Sequence, residues 1–218
     1  MKKTKPMPKA VIFDMDGVII DSMRYHCIAW QKTFKTLGVN VSRLDVYKRE
    51  GEKYTKSAHD FLKRKYPKVN DGMIKDIVEI RKKIFKKIAK KPVLFKGTKE
   101  LLTKLNKKGI LLGLVTATLR KEVKRVLPEK IYKSFGTVIS GDDVKKGKPH
   151  PEPYLKALKK MGVKKSEAVV IENAPYGIES AKKAGLFCVA IETSLPKRYL
   201  KDADLIVKSI DKVYNHLY

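Results

Sequence analysis

Apolar runs of strand length recur along the chain at Ala10–Phe13, Ile110–Val115, Thr137–Ile139, Ala168–Ile171 and Phe187–Ile191, with a weaker one at Asp204–Val207. Helical periodicity fills the gaps between them. In Thr98–Lys108, Leu101, Leu102 and Leu105 share a face, and Gly109 ends the pattern. In Pro151–Met161, Tyr154, Leu158 and Met161 do the same before Gly162, and Pro175–Ala184 opens on proline and stops at Gly185. Such alternation predicts an α/β fold: a parallel sheet, buried on both faces by helices. Ligands of these sheets bind at the carboxyl ends of the strands.

One stretch breaks the alternation. Between Ser22 and about Pro92 the pattern is helical throughout: Met23–Leu37 carries Tyr25, Ile28, Ala29 and Phe34, Lys56–Tyr66 carries Ala58, Phe61 and Leu62, and Asp71–Ala89 sets Ile74, Ile77, Val78, Ile84, Phe85 and Ile88 on one stripe. Three helices inserted after the first strand predict a small bundle, hinged at both ends, able to close over the carboxyl end of the sheet. The expected division is a core of residues 1–22 and 93–218 and a helical cap of residues 23–92.

The run Val11-Ile-Phe-Asp-Met-Asp-Gly17 ends the first strand with two carboxylates. Extended backbone sends alternate side chains to one side, so Asp14 and Asp16 face one spot and Met15 faces away. Two negative charges beside an apolar strand are costly unless a cation joins them. The pairing suggests a divalent metal, one carboxylate left to react and the other to move protons. Taken alone, the same residues are equally a turn at Asp16-Gly17 with Asp14 as a cap.

Charge changes the picture less than its size suggests. Against 50 Lys and Arg stand 23 Asp and Glu, a formal net charge of +27 in 218 residues, most of it Lys. Such a field attracts anions. The lysines are scattered along the whole length, however, and no basic run is interleaved with aromatics as a base-stacking surface requires. A solvated Lys-rich surface is the simpler reading, and nucleic acid is disfavoured as a partner. Cys27 and Cys188 are far apart and outside any C-x-x-C pair, which argues against a zinc site or disulfide framework and for two buried thiols. The basic N-terminal segment lacks the apolar core of a signal peptide and no apolar run reaches membrane-spanning length, so the expectation is a cytoplasmic protein with no membrane partner.

Four positions line up just after strands: Asp14 and Asp16; Thr116 in Val-Thr-Ala-Thr118; Lys148 in Gly-Lys-Pro-His-Pro-Glu-Pro-Tyr154; and Glu172 with Asn173 in Ile-Glu-Asn-Ala-Pro-Tyr-Gly177. A nucleophile, a hydroxyl donor, an ammonium and metal-binding oxygens are what phosphoryl transfer requires. In this order and spacing, from about Lys9 to Leu205, the chain resembles the haloacid dehalogenase superfamily, and within it the β-phosphoglucomutase-like phosphatases with an α-helical cap. The resemblance implies a Rossmann-like core. It also implies that Asp14 is the nucleophile forming an aspartyl-phosphate and that Asp16 is general acid and then general base. Thr116 and the backbone beside Ala117 would bind the phosphoryl group, with Lys148 pairing with it and with Asp14. Mg²⁺ would sit on Asp14, the Asp16 carbonyl, Glu172 and Asn173. Arg49, Glu52 and Lys53, in a cap loop, are candidate substrate contacts.

Two departures bear on function. Where the mutases show Glu-Asp this chain has Glu172-Asn173, one negative charge fewer, for which Glu172 is expected to compensate. Tyr54 and Leu119 replace the Arg and Lys with which the mutases grip a second phosphate. The expected activity is therefore hydrolysis of a small phosphorylated metabolite, such as a sugar phosphate, phosphoglycolate or nucleotide monophosphate. Phosphosugar mutase is the alternative, and a basic nucleic-acid-binding protein on a retired fold the rival from another class. Monomer and dimer fit the sequence equally. His26 and Asp21 read as a packed or hinge residue and a helix cap, Trp30 and Phe34 as core, and His150 as a loop residue.

Overall fold

The computed structural model describes residues 8–89 and 93–217. Six parallel strands form the sheet: β1 (Ala10–Phe13), β4 (Leu111–Val115), β5 (Thr137–Ile139), β6 (Ala168–Glu172), β7 (Phe187–Ile191) and β8 (Leu205–Val207), in the order β5-β4-β1-β6-β7-β8. Strand β1 is central, and all four of its residues are fully buried. Its register sets Phe13 level with Leu114 of β4 and Ile171 of β6. The residues that follow, Asp14, Thr116 and Glu172, therefore emerge together at one edge.

Each face of the sheet has its own core. On one, Ile12, Val115 and Val170 pack with Tyr154, Ala157 and Leu158 of α8 (Glu152–Met161) and Ile178 and Ala181 of α9 (Pro175–Lys183). On the other, Val11, Phe13, Leu114 and Ile171 meet α5 (Thr98–Lys107), α6 (Arg120–Val126), α7 (Glu129–Lys133) and α10 (Ile210–Leu217) through Leu102, Leu105, Val123, Ile131 and Val213. Each fully buried Leu or Ile contributes about 1.5–3 kcal/mol by leaving water. Cys27 and Cys188 are buried free thiols.

The helical stretch stands as an insert between two short strands, β2 (Ile20–Asp21) and β3 (Val93–Leu94), which pair antiparallel. It holds four helices where periodicity predicts three: α1 (Met23–Lys35), α2 (Arg43–Lys48), α3 (Tyr54–Leu62) and α4 (Asp71–Ile88). The additional one, α2, is too short to show a period. A capping box fixes it, with Ser42 Oγ accepting from Asp45 N while the Asp45 carboxylate accepts from Ser42 N. Trp30, Phe34 and Phe61 form the insert's aromatic centre, with ring centroids 5.4–5.8 Å apart. Asp21 caps no helix: it lies in β2, and Ser22 takes the N-cap position of α1. The N-terminal basic segment and the expected end of the insert at Pro92 lie outside the described residues. Among those described, no helix is long and apolar enough to cross a membrane.

Candidate active site

At the carboxyl edge the chain brings Asp14, Asp16, Thr116, Ala117, Lys148, Glu172 and Asn173 together. Gly17 makes this possible. Its φ is +83°, and a Cβ there would lie 2.1 Å from the Asn173 amide nitrogen, so only glycine lets the turn after β1 close on Asn173. Lys148 Nζ donates to Asp14 Oδ1 at 2.5 Å and to Glu172 Oε1 at 2.6 Å, all three residues being buried. Glu172 is fully engaged: Oε1 also accepts from the Tyr154 hydroxyl at 2.7 Å, and Oε2 from the Asn173 backbone N–H at 3.0 Å. Burial alone would discharge Lys148, but Asp14 and Glu172 outweigh it and hold the ammonium above its ordinary pKa. Burial also pushes the Asp14 carboxyl up; Lys148 opposes this, while Glu172 and Asp16 add to it, and the net shift is upward. A further positive charge beside Asp14 would complete the balance.

Two oxygens mark where that charge fits. Asp14 Oδ2 and Asn173 Oδ1 are buried without a hydrogen-bond partner. The Asn173 amide donates from Nδ2 to Ser194 Oγ at 2.8 Å, which leaves Oδ1 free to accept. Both are hard oxygen donors of the kind Mg²⁺ takes, together with waters. Among the described residues no trio of His, Cys, Asp or Glu converges on one point, so a cation here would depend on this mixed carboxylate–amide pair.

Asp16 has different surroundings. Its Oδ1 accepts from Ser22 Oγ at 2.5 Å and lies 3.1 Å from His26 Nε2, and its Oδ2 accepts from Thr118 Oγ1 at 3.0 Å. Arg81 of α4 donates to His26 Nδ1. Arginine can only donate, so Nδ1 accepts, Nε2 carries the proton, and His26 is a neutral imidazole donating to Asp16. Burial and then the Arg81 charge depress the His26 pKa, against the pull of Asp16. Burial alone would raise Asp16, but His26, Ser22 and Thr118 outweigh it and hold its carboxyl below the usual range. Arg81 is itself buried, its guanidinium 4.1 Å from the Tyr54 ring centroid, 4.8 Å from Phe85 and 5.4 Å from Trp30.

The loop between α2 and α3 covers this constellation. At Gly51, φ +78°, a Cβ would lie 2.4 Å from Lys148 Cδ. Beneath the loop, a cavity of about 30 Å³ is lined by Asp14, Asp16, Trp30, Glu50, Tyr54 and Thr116. That is room for about two waters. A second cavity, of about 260 Å³, reaches Asp16 from the side of α4 and α6, between Met15, Phe85 and Leu119. The two candidate cations of the loop are engaged within the protein: Arg49 with Glu52 and Asp60, at 2.9 and 2.8 Å, and Lys53 with the Val144 carbonyl, at 2.8 Å. Glu50, which sequence reasoning passed over, lies inside, and burial followed by the nearby Asp14, Asp16 and Glu172 pushes its carboxyl well up. Arg81 was also missed, although it occupies a position of the apolar stripe of α4, where a charged side chain signals a buried partner.

A haloacid dehalogenase-like hydrolase model matches residues 11–191. The chain belongs to that family. It is 30% identical over 210 residues to the validoxylamine A 7'-phosphate phosphatase of Streptomyces hygroscopicus subsp. limoneus, covering 95% of this chain and 96% of that protein. It is 31% identical to the phosphorylated carbohydrates phosphatase of Thermotoga maritima, covering 82% of each. The crystal structure of β-phosphoglucomutase from Clostridium difficile superposes with a TM-score of 0.83 at 26% identity, over 97% of each chain.

Proposed function

We propose that the protein is a Mg²⁺-dependent phosphohydrolase of small phosphomonoesters, with residues 23–92 as a cap. The observation that carries this reading is the buried Asp14–Lys148–Glu172 array, which leaves one Asp14 oxygen, Oδ2, unpartnered beside a cavity that Asp14 lines. A carboxylate oxygen of Asp14 attacks phosphorus, and the bond from phosphorus to the leaving oxygen breaks as that oxygen takes a proton from Asp16. Water then attacks phosphorus, Asp16 takes its proton, and the bond to Asp14 breaks to give inorganic phosphate. Lys148, Thr116 and the backbone at Ala117 bind the phosphoryl oxygens. Bound at Asp14 and Asn173, with Asp16 and Glu172 beside it, Mg²⁺ would neutralise phosphoryl charge. The donors on Asp16 favour its ionised form, which the water step needs. The covered cavity has room for about two waters, too little for a phosphomonoester, so the cap must open to load it.

The likeness to β-phosphoglucomutase favours a second reading, a phosphosugar mutase; activity that requires a hexose bisphosphate separates it from hydrolysis. The test of the first is phosphate release from a phosphomonoester panel, with Mg²⁺ and with EDTA, for wild type and Asp14→Asn. Release that disappears with EDTA and with Asp14→Asn is the expected result. Undiminished release by Asp14→Asn would refute the assigned nucleophile.

A further inference from the structure

Glu50 is an acid without a cation in a chain with 50 Lys and Arg. It is 9% exposed, its Oε2 has no hydrogen-bond partner, and it forms no ion pair among the described residues. The nearby cations are committed: Arg49 to Glu52 and Asp60, Lys53 to Val144, and Lys148 to Asp14 and Glu172. The cavity it enters offers two more carboxylates, from Asp14 and Asp16, and the faces of Trp30, Tyr54 and Phe61. A carboxylate buried in this way is destabilising unless something donates to it. Cap closure over a loaded site buries Glu50 against the group attached to the phosphoryl.

We propose that Glu50 determines substrate specificity, selecting phosphomonoesters whose leaving group carries a hydroxyl or ammonium donor, such as polyol, sugar and amino-alcohol phosphates. Resting on the phosphohydrolase reading, it narrows the substrates further. A leaving group ending in carboxylate or phosphate offers Glu50 no donor and brings its charge into a cavity that Asp14, Asp16 and aromatic walls already line, so phosphoglycolate and pyrophosphate are poor substrates. A polar site that loses its matching donor rejects a substrate more strongly than an apolar wall does.

The test compares kcat/KM, with Mg²⁺, for glycerol 1-phosphate, a hexose 6-phosphate, phosphoethanolamine, phosphoglycolate and pyrophosphate, in wild type, Glu50→Gln and Glu50→Leu. Wild type is expected to prefer the donor-bearing substrates by about tenfold or more. Glu50→Leu reduces that ratio by a similar factor without lowering turnover of phosphoglycolate, and Glu50→Gln, which still accepts through its carbonyl, falls between. Glu50→Leu also melts at or above wild type, because it removes an unpaired buried carboxylate. The proposal is overturned if wild type prefers phosphoglycolate or pyrophosphate, if Glu50→Leu lowers all substrates in parallel, or if added Mg²⁺ restores its losses. Absence of release from every substrate in wild type would overturn the phosphohydrolase reading together with it.

Discussion

Replacing Lys148 by Met keeps most of the side chain's length and removes its charge. In the native protein the ammonium sits 2.5 Å from Asp14 and 2.6 Å from Glu172, and all three residues are at most 2% exposed. An exposed pair would contribute at most about 1 kcal/mol. Breaking a buried one strands its partners and costs about 3–5 kcal/mol. For a chain of 218 residues that is a fall in Tm of roughly 10 °C. The loss depends on pH. The Lys148 pKa is raised, so its stabilisation is fully present below the ordinary lysine value and is lost only at high alkaline pH. Asp14 is a carboxyl with a raised pKa, so the stability linked to its protonated form disappears as pH rises through that value. Without Lys148 this rise is steeper, because the opposing cation has gone. The deficit of Lys148→Met should therefore be larger at pH 8 than at pH 5. Urea unfolding of both proteins at the two pH values measures it, and phosphate release should be lost alongside. A deficit below 1 kcal/mol, or one that grows toward pH 5, would refute the reasoning.

Arg81→Met removes the charge that helps keep His26 neutral, so the imidazole should titrate at higher pH than in wild type, followed by NMR of the side-chain nitrogens. An unchanged or lower midpoint would mean that Arg81 exerts no electrostatic hold. Asn173→Asp adds one more negative charge to those of Asp16 and Glu172 beside Asp14 and should tighten Mg²⁺ by about tenfold, read by calorimetric titration. Unaltered affinity would remove Asn173 from the cation site.

The sheet was legible because its strands are continuous apolar runs: Thr137–Ile139 and Phe187–Ile191 have the bounds their sequence predicts. The two-residue strands β2 and β3 and the helices α2, α6 and α7, of five to seven residues, were not, being too short for a periodicity to register. The acids, hydroxyl and lysine at the strand ends were readable from order and spacing, which the parallel register converts into proximity. What could not be read was which charges neutralise one another. The engagement of Arg49 with Asp60, of Lys53 with Val144 and of Glu172 with Lys148 depends on contacts across the fold. The chain Arg81–His26–Asp16 likewise brings α4 to α1 and the end of β1, with 55 positions between Arg81 and His26.

The chain leaves the sheet unit at β2 and returns at β3, and these are paired neighbours, Ile20 opposite Leu94 and Asp21 opposite Val93. Antiparallel partners lie about 5 Å apart, a gap that a two-residue turn spans. The path of the core is thus already closed without the helices. An insert of another length or sequence can enter at this ladder and leave the alignment of β1 with β4 and β6 untouched. Glu50, His26 and Arg81 travel with the insert, and Asp14, Lys148 and Glu172 stay with the sheet. Insert and sheet are thereby separable lengths of chain that meet at contacts such as His26 with Asp16, and a whole insert from a relative could be transplanted at residues 21 and 93 as a single graft.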